Sequence, residues 1–263
     1  MNGLDDLIRL VYDKSGITLD DSKEYLLRSR LEPIAKLRNV ELKDLARLAK
    51  VNMQLANEIV EAMTTNETSF FRDVTLWKAL QFHVLPDISR DALAQGRPAL
   101  VWSAACSTGQ EAYSLAILCK EIGTRVLIHG TDISPDVVTK AQSGRYVRME
   151  VNRGLPARRL LGHFIQLAGD VWQLNPDICA TATFQVANLL DRPIGHSYDL
   201  ILLRNVLIYF DEKVRLRVFN HIYGAMRPGG YLLLGSSESL LSLPSGFERG
   251  SLEGTTVWRR KSA

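Results

Sequence analysis

Apolar residues in the first 66 positions recur at helical spacing. Leu4, Leu7, Ile8, Leu10 and Val11 share one face of a helix that Ser15-Gly16 ends. Tyr25, Leu26, Leu27, Leu31, Ile34, Ala35 and Leu37 mark a second helix, with Asp20 or Asp21 as its cap. Pro33 inside that pattern predicts a kink or a break. Leu42–Ala49 and Leu55–Met63 predict two more helices, and no strand pattern interrupts them. From about Arg97 the pattern changes to short apolar runs alternating with helices. Strands are predicted at Ala99–Ala104, Val126–His129, Thr183–Val186, Leu200–Leu203, Tyr231–Leu234 and Gly254–Arg259. Helices are predicted at Gln110–Lys120, Pro135–Gln142 and Asp211–Met226, the last stopped by Gly229-Gly230. Such alternation predicts an α/β domain with a parallel, doubly wound sheet. Residues 144–181 break the alternation and predict an inserted subdomain of a few short antiparallel strands. The expected organisation is a helical unit over residues 1–66 and an α/β domain over 67–263.

Composition narrows the class without naming a function. The chain has 263 residues, 46% hydrophobic and 23% charged, which excludes a disordered or fibrous protein. The apolar runs on either side of Arg204-Asn205 fall well short of the ~20 residues needed to span a bilayer, so no membrane insertion is expected. MNGLDDLIRL carries two acids and no apolar core, so a signal peptide is not expected. Cys106, Cys119 and Cys179 form neither a disulfide framework nor a zinc pattern, and no metal site is expected. A reducing cytoplasm is the expected compartment.

The net charge of +3 conceals an uneven distribution. Residues 23–50 hold eight basic side chains, among them Arg28, Arg30, Lys36 and Arg38, against four acids. Arg145, Arg148, Arg153, Arg158 and Arg159 form a second cluster, opposed by Glu150. Either cluster alone is compatible with a solvated surface.

Ligands of open α/β sheets bind beyond the carboxyl ends of the strands, and three predicted ends are polar. The first is Ser103-Ala104-Ala105-Cys106-Ser107-Thr108-Gly109-Gln110-Glu111, whose small residues let the backbone approach a ligand. It lacks G-x-G-x-x-G and the Lys-Ser/Thr of a triphosphate loop. Glu111 would repel phosphate and suit a cation, or it could form a capping box with Thr108. Asp132 ends the second strand, 23 residues after Gly109, where a dinucleotide fold places the acid that binds ribose. It could also cap the next helix, although Ser134 before Pro135 fits that task better. Together these ends suggest a ribose-bearing, positively charged cofactor, for which S-adenosylmethionine fits better than a nicotinamide dinucleotide. The third end is Arg204-Asn205 with Tyr209 close behind, and Asn188 occupies a comparable place. A salt bridge to a neighbouring element is the alternative use of Arg204.

Thr64-Thr65-Asn66-Glu67-Thr68-Ser69-Phe70-Phe71-Arg72 resembles the signature of the CheR family, the chemotaxis-receptor glutamate methyltransferases. Val101–Glu111, Thr131-Asp132-Ile133-Ser134, Asn188-Leu189-Leu190 and Arg204–Phe210 resemble further motifs of that family, in its order. Gln110 and Ala112 depart from it, standing where members often have Glu and Pro, while Glu111 is retained. The resemblance implies a helical N-terminal domain and a Rossmann-like, mostly parallel-sheet methyltransferase domain carrying a small β-subdomain. It implies cofactor contacts from Asn66, Thr68, Arg72, Glu111, Asp132, Asn188, Leu189, Arg204, Asn205 and Tyr209, with Arg72 and Tyr209 nearest the reacting methyl. The implied cofactor is S-adenosyl-L-methionine, the product S-adenosyl-L-homocysteine, and the partner the cytoplasmic helical domain of chemoreceptors.

A glutamate acceptor, with a side-chain pKa of ~4.3, is ionised at neutral pH and needs no general base. His83, His129, His163, His196 and His221 are accordingly scattered, with His129 inside an apolar strand. With a glutamate-bearing helix as substrate, the cluster of Arg28, Arg30, Lys36 and Arg38 gains a docking role. Rival expectations are a non-catalytic regulator that binds the cofactor, a nucleic-acid methyltransferase and a nicotinamide oxidoreductase. Arg204-Asn205-Val206-Leu207 stands where amino-methylating nucleic-acid enzymes commonly show Asn/Asp-Pro-Pro-aromatic, so no nucleic-acid partner is expected. The missing glycine fingerprint counts against the oxidoreductase.

Overall fold

The computed structural model describes residues 3–19, 23–191, 197–238 and 246–262. The expected caps Asp20 and Asp21 and the side chain of His196 lie outside these residues. The chain divides into two compact units, Met1–Thr65 with Ile208–Arg217, and Asn66–Leu207 with Val218–Ala263.

In the first unit, α1 (Gly3–Ser15), α2 (Glu24–Leu37), α3 (Leu45–Ala49, entered by a 3-10 turn) and α4 (Met53–Met63) follow the periodicity of the sequence. Their apolar faces meet in a core containing Leu7, Val11, Leu27, Leu31, Leu45, Leu55 and Ile59. Asn52 caps α4 by accepting the Leu55 N–H at 3.0 Å. Of the two outcomes expected at Pro33, a break does not occur, because α2 runs through it from Glu24 to Leu37. Pro33 is exposed while Leu27, Leu31, Ile34 and Ala35 are buried, so packing of the inner face outweighs the lost backbone bond. The segment from residue 208 completes this unit. Ile17 bridges Phe210, the Thr18 N–H donates to the Tyr209 carbonyl at 2.8 Å, and the Tyr12 hydroxyl donates to Asp211 at 2.9 Å.

The second unit begins with α5 (Val74–Ala79) and α6 (Leu85–Ala94), joined by a π-helical turn over Leu80–Val84. Then come β1 (Ala99–Ala104), α7 (Gln110–Ile122), β2 (Val126–Asp132) and α8 (Pro135–Ser143). An insertion follows: β3 (Arg145–Val147), α9 (Arg148–Asn152), α10 (Ala157–His163), β4 (Phe164–Gln166), β5 (Val171–Leu174) and α11 (Pro176–Cys179). The chain returns through β6 (Ala182–Val186), β7 (Tyr198–Leu203) and α12 (Glu212–Ala225), whose first turns belong to the first unit. It ends with β8 (Met226–Leu234), β9 (Phe247–Leu252) and β10 (Thr255–Arg260).

The main sheet has the order β6-β2-β1-β7-β8-β10-β9. Its first five strands are parallel, and β10 and β9 add antiparallel pairs. The fold thus comprises the expected helical domain and a mostly parallel, Rossmann-like sheet domain, with a three-stranded antiparallel sheet β3-β5-β4 in the insertion. Gly229-Gly230 does not stop α12 as expected: the helix ends at Ala225, and both glycines lie within β8, where the register against β7 shifts. Strand order reverses between β1 and β7, which places the ends of these two strands at the switch point where such sheets bind ligands. Among the described residues, no helix is long and apolar enough to cross a membrane.

Candidate functional site

Backbone conformation shapes the site before side chains do. Ala105 and Ser107 sit at φ +59 and +50, and Gly109 at +90, so the loop after β1 curls back toward the strand ends. Only glycine fits at 109, since a Cβ there would press on Ala141 and the Tyr146 hydroxyl. The Ser107 hydroxyl donates to the Asn66 carbonyl at 2.8 Å, joining the loop to the segment that carries Thr68 and Arg72.

Asp132 closes β2 and is buried. Its Oδ2 accepts the Ser107 N–H at 2.8 Å and its Oδ1 the Ser134 N–H at 3.1 Å. Ser134 caps α8 by accepting the Val137 N–H, so the cap falls on the serine and Asp132 faces the loop. The expected alternative for Glu111, a capping box with Thr108, is not formed; the Thr108 hydroxyl donates to Gln110 and Gly109 is the cap. Glu111 instead accepts from the Ser103 hydroxyl at 2.7 Å and from Arg204 at 2.7 Å.

Arg204 is 6% exposed and forms the salt bridges that the sequence left as its alternative use. One nitrogen meets Glu111, and another meets Asp73 at 2.5 Å and the Arg72 carbonyl at 3.1 Å. Burial alone would lower the guanidinium pKa, and Glu111 and Asp73 more than offset it. Asn205, at φ +58, donates its N–H to Glu238, which also accepts from Leu207 and Gly235, each at 2.8 Å. The Asn188 side chain accepts the Leu190 N–H in a turn beyond β6, and the Leu189 carbonyl contacts His221 at 3.2 Å.

Around the ends of β1, β2 and β7, Asn66 and Asp132 thus meet through Ser107, Glu111 and the Arg72 carbonyl meet through Arg204, and Asn205 is held by Glu238. Asn188 and Leu189 lie beyond the neighbouring β6. Tyr209 belongs to the first unit, where its carbonyl accepts from Thr18. Of the basic residues expected to dock substrate, Arg30 donates to the carbonyls of Ala62 and Thr64, and Arg38 pairs with Glu58. Arg28 pairs with Glu24 on the surface and Lys36 is exposed. Ser103, Asp73 and Glu238 are participants that sequence reading did not single out. Asp73, directly after the Arg72 motif, was the one with a local signal.

The network tests which cofactor fits. Glu111 and Asp132 at these strand ends disfavour a pyrophosphate and suit a ligand with a positively charged group. The Nε of Arg204 is buried without a hydrogen-bond partner among the described residues, and this N–H suits a ligand carboxylate. S-adenosylmethionine, with a sulfonium, an ammonium and a carboxylate, satisfies both conditions. A mostly parallel sheet with these acidic residues at its switch point suits an S-adenosylmethionine-dependent methyltransferase. Family models agree: residues 66–254 match the CheR methyltransferase SAM-binding domain, and residues 2–64 its all-alpha domain. The chain is 40% identical over 256 residues to a chemotaxis protein methyltransferase of Vibrio parahaemolyticus, covering 92% of this chain and 91% of that one. It is 36% identical over 272 residues to chemotaxis protein methyltransferase 1 of Pseudomonas aeruginosa, covering 97% of each. The chain belongs to the CheR methyltransferase family.

Proposed function

We propose that the protein methylates glutamate side chains in the cytoplasmic helical domain of chemoreceptors, forming methyl esters and releasing S-adenosyl-L-homocysteine. One observation carries this reading. The buried network Glu111–Arg204–Asp73 joins the cofactor crevice to the loop of Arg72, a residue type suited to paired hydrogen bonds with a carboxylate. The names of the curated relatives supply the setting, chemotaxis.

Asp132 would hold the ribose hydroxyls, and Glu111 the cationic end of the cofactor, with Asn66, Thr68, Asn188, Leu189, Arg204 and Asn205 completing its site. When bound, the cofactor supplies an electrophilic methyl group whose bonding pair returns to sulfur. The acceptor carboxylate is ionised already, so no residue of the chain has to remove a proton. Arg72 fixes the line of approach of the carboxylate, and Tyr209 offers a phenol that orients without competing as a nucleophile. Orientation of this kind is worth ~7–11 kcal/mol when the geometry is right.

The test uses methyl-labelled cofactor, the purified protein and membranes bearing receptors, followed by mild base. A glutamate methyl ester releases labelled methanol. Base-stable label would overturn the glutamate reading, and no label with competent receptors would favour a regulator that only binds the cofactor. Arg72→Ala and Tyr209→Phe should lower turnover about tenfold or more while changing cofactor affinity less. Unchanged turnover in either variant would remove that residue from the mechanism.

A further inference from the structure

Arg72 stands between two residues in the left-handed region, Phe71 at φ +48 and Asp73 at φ +66. Neither is glycine, and L side chains rarely adopt this conformation, so it persists only where neighbours hold it. The sheet domain supplies several holds. The Phe71 N–H donates to the buried Ser114 hydroxyl of α7 at 2.9 Å. The Arg72 carbonyl accepts from Trp77 at 2.8 Å and from Arg204, which also pairs with Asp73.

The insertion supplies the rest. Arg159 of α10 lies over the Phe71 ring, 3.8 Å from its centroid. Its guanidinium is itself fixed by a two-pronged pair with Glu121 of α7, at 2.9 and 2.7 Å, and His163 contacts the same carboxylate at 3.3 Å. Burial pushes the Glu121 carboxyl up, but Arg159 and His163 hold it below its ordinary value. The insertion backbone also passes Phe70 so closely that a Cβ on Gly154 would fall on the Phe70 carbonyl oxygen. One helix, α7, therefore grips Phe71 twice: directly through Ser114, and through Glu121 and a guanidinium borrowed from the insertion.

We propose that Arg159 is a positioning residue for Arg72, acting through the ring of Phe71, so that the insertion forms part of the catalytic apparatus. A cation over an aromatic face is attracted to the ring, and so helps to hold the strained backbone at Phe71. This inference rests on the role given to Arg72 above.

The experiment uses the full chain with saturating cofactor and receptor. It measures turnover, KM for receptor, cofactor affinity by calorimetry and the thermal midpoint. Arg159→Leu and Phe71→Leu should each lower kcat about fivefold or more with cofactor affinity within about twofold, as expected for a misplaced orienting group. The double variant should fall no further than the worse single, because both remove one interaction. Glu121→Gln, which loosens the anchor without touching the loop, should lower kcat in the same direction and provides a reading should Phe71→Leu fail to fold. Wild-type kcat in Arg159→Leu or Glu121→Gln, with or without a lower thermal midpoint, would overturn the proposal, as would multiplying losses in the double variant. Arg72→Ala separates the two readings. Should it keep full turnover, the role of Arg72 falls; should it lose turnover while Arg159→Leu keeps it, only the positioning role falls.

Discussion

Asp132 makes its contribution through two oxygens that already accept backbone N–H groups, from Ser107 and Ser134. Removing the carboxylate takes away an acceptor of both donors and withdraws a negative charge from the site. Hydrogen bonds to a charged group are worth ~1.5–3 kcal/mol, so Asp132→Ala should weaken cofactor binding by about tenfold to a hundredfold in calorimetry. Its thermal midpoint should fall as well, because the curled loop after β1 loses its tether. At this scale the sequence was legible where chemistry falls at a strand end. Glu111, Asp132, Arg204 and Asn205 are polar residues closing or following apolar runs, and all four reach the network. Ser114 and Glu238 were not legible, because each serves backbone N–H groups of a distant segment and stands in no motif of its own. Nothing local distinguishes a serine that holds a strained backbone from one that faces water.

Elements were read more completely than residues, and their misreadings have definite causes. The sequence pattern places β1 over Ala99–Ala104, as found, since its first four residues are apolar and it ends in the small residues Ser103 and Ala104. Val74–Ala94 went unassigned although Leu76, Trp77, Leu80, Val84, Leu85 and Ile88 are buried. A π-helical turn resets the periodicity midway, so no single 3.6-residue pattern spans the segment. β9 was missed because FERGSL leaves four of its six residues exposed and lacks apolar alternation. Pro33 shows propensity overruled by packing, and this has a measurable corollary. Proline in a helix interior costs ~3 kcal/mol, part of which it returns by restricting the unfolded chain. Pro33→Ala should therefore stabilise the helical unit by about 2 kcal/mol, read as a higher midpoint in chemical or thermal unfolding. A lower midpoint would show that the residue shapes α2 in a way its exposed position does not reveal.

Across the whole molecule, the near-neutral total covers a basic stretch at residues 23–50 whose members do different work. Arg38 is bound to Glu58 and Arg30 to the backbone after α4, so both hold the helical unit together. Arg28 is only loosely engaged, and Lys36 is exposed. With an acidic receptor helix as partner, Lys36→Glu should raise KM about severalfold and leave kcat unchanged, and raising ionic strength should weaken wild-type association in the same sense. Arg38→Glu should act differently, lowering the thermal midpoint, because it breaks a pair within the fold. A KM insensitive to both salt and Lys36→Glu would remove this stretch from docking.

The strand of chain from Ile208 to Arg217 belongs with the first 65 residues and not with its sequence neighbours. On a ribosome, the helical unit cannot finish folding when its four helices have emerged. Ile17, Thr18 and Tyr12 wait for Phe210, Tyr209 and Asp211, about 200 residues later. These contacts can form only once β1 through β7 have been synthesised, because they depend on the segment that also carries Tyr209.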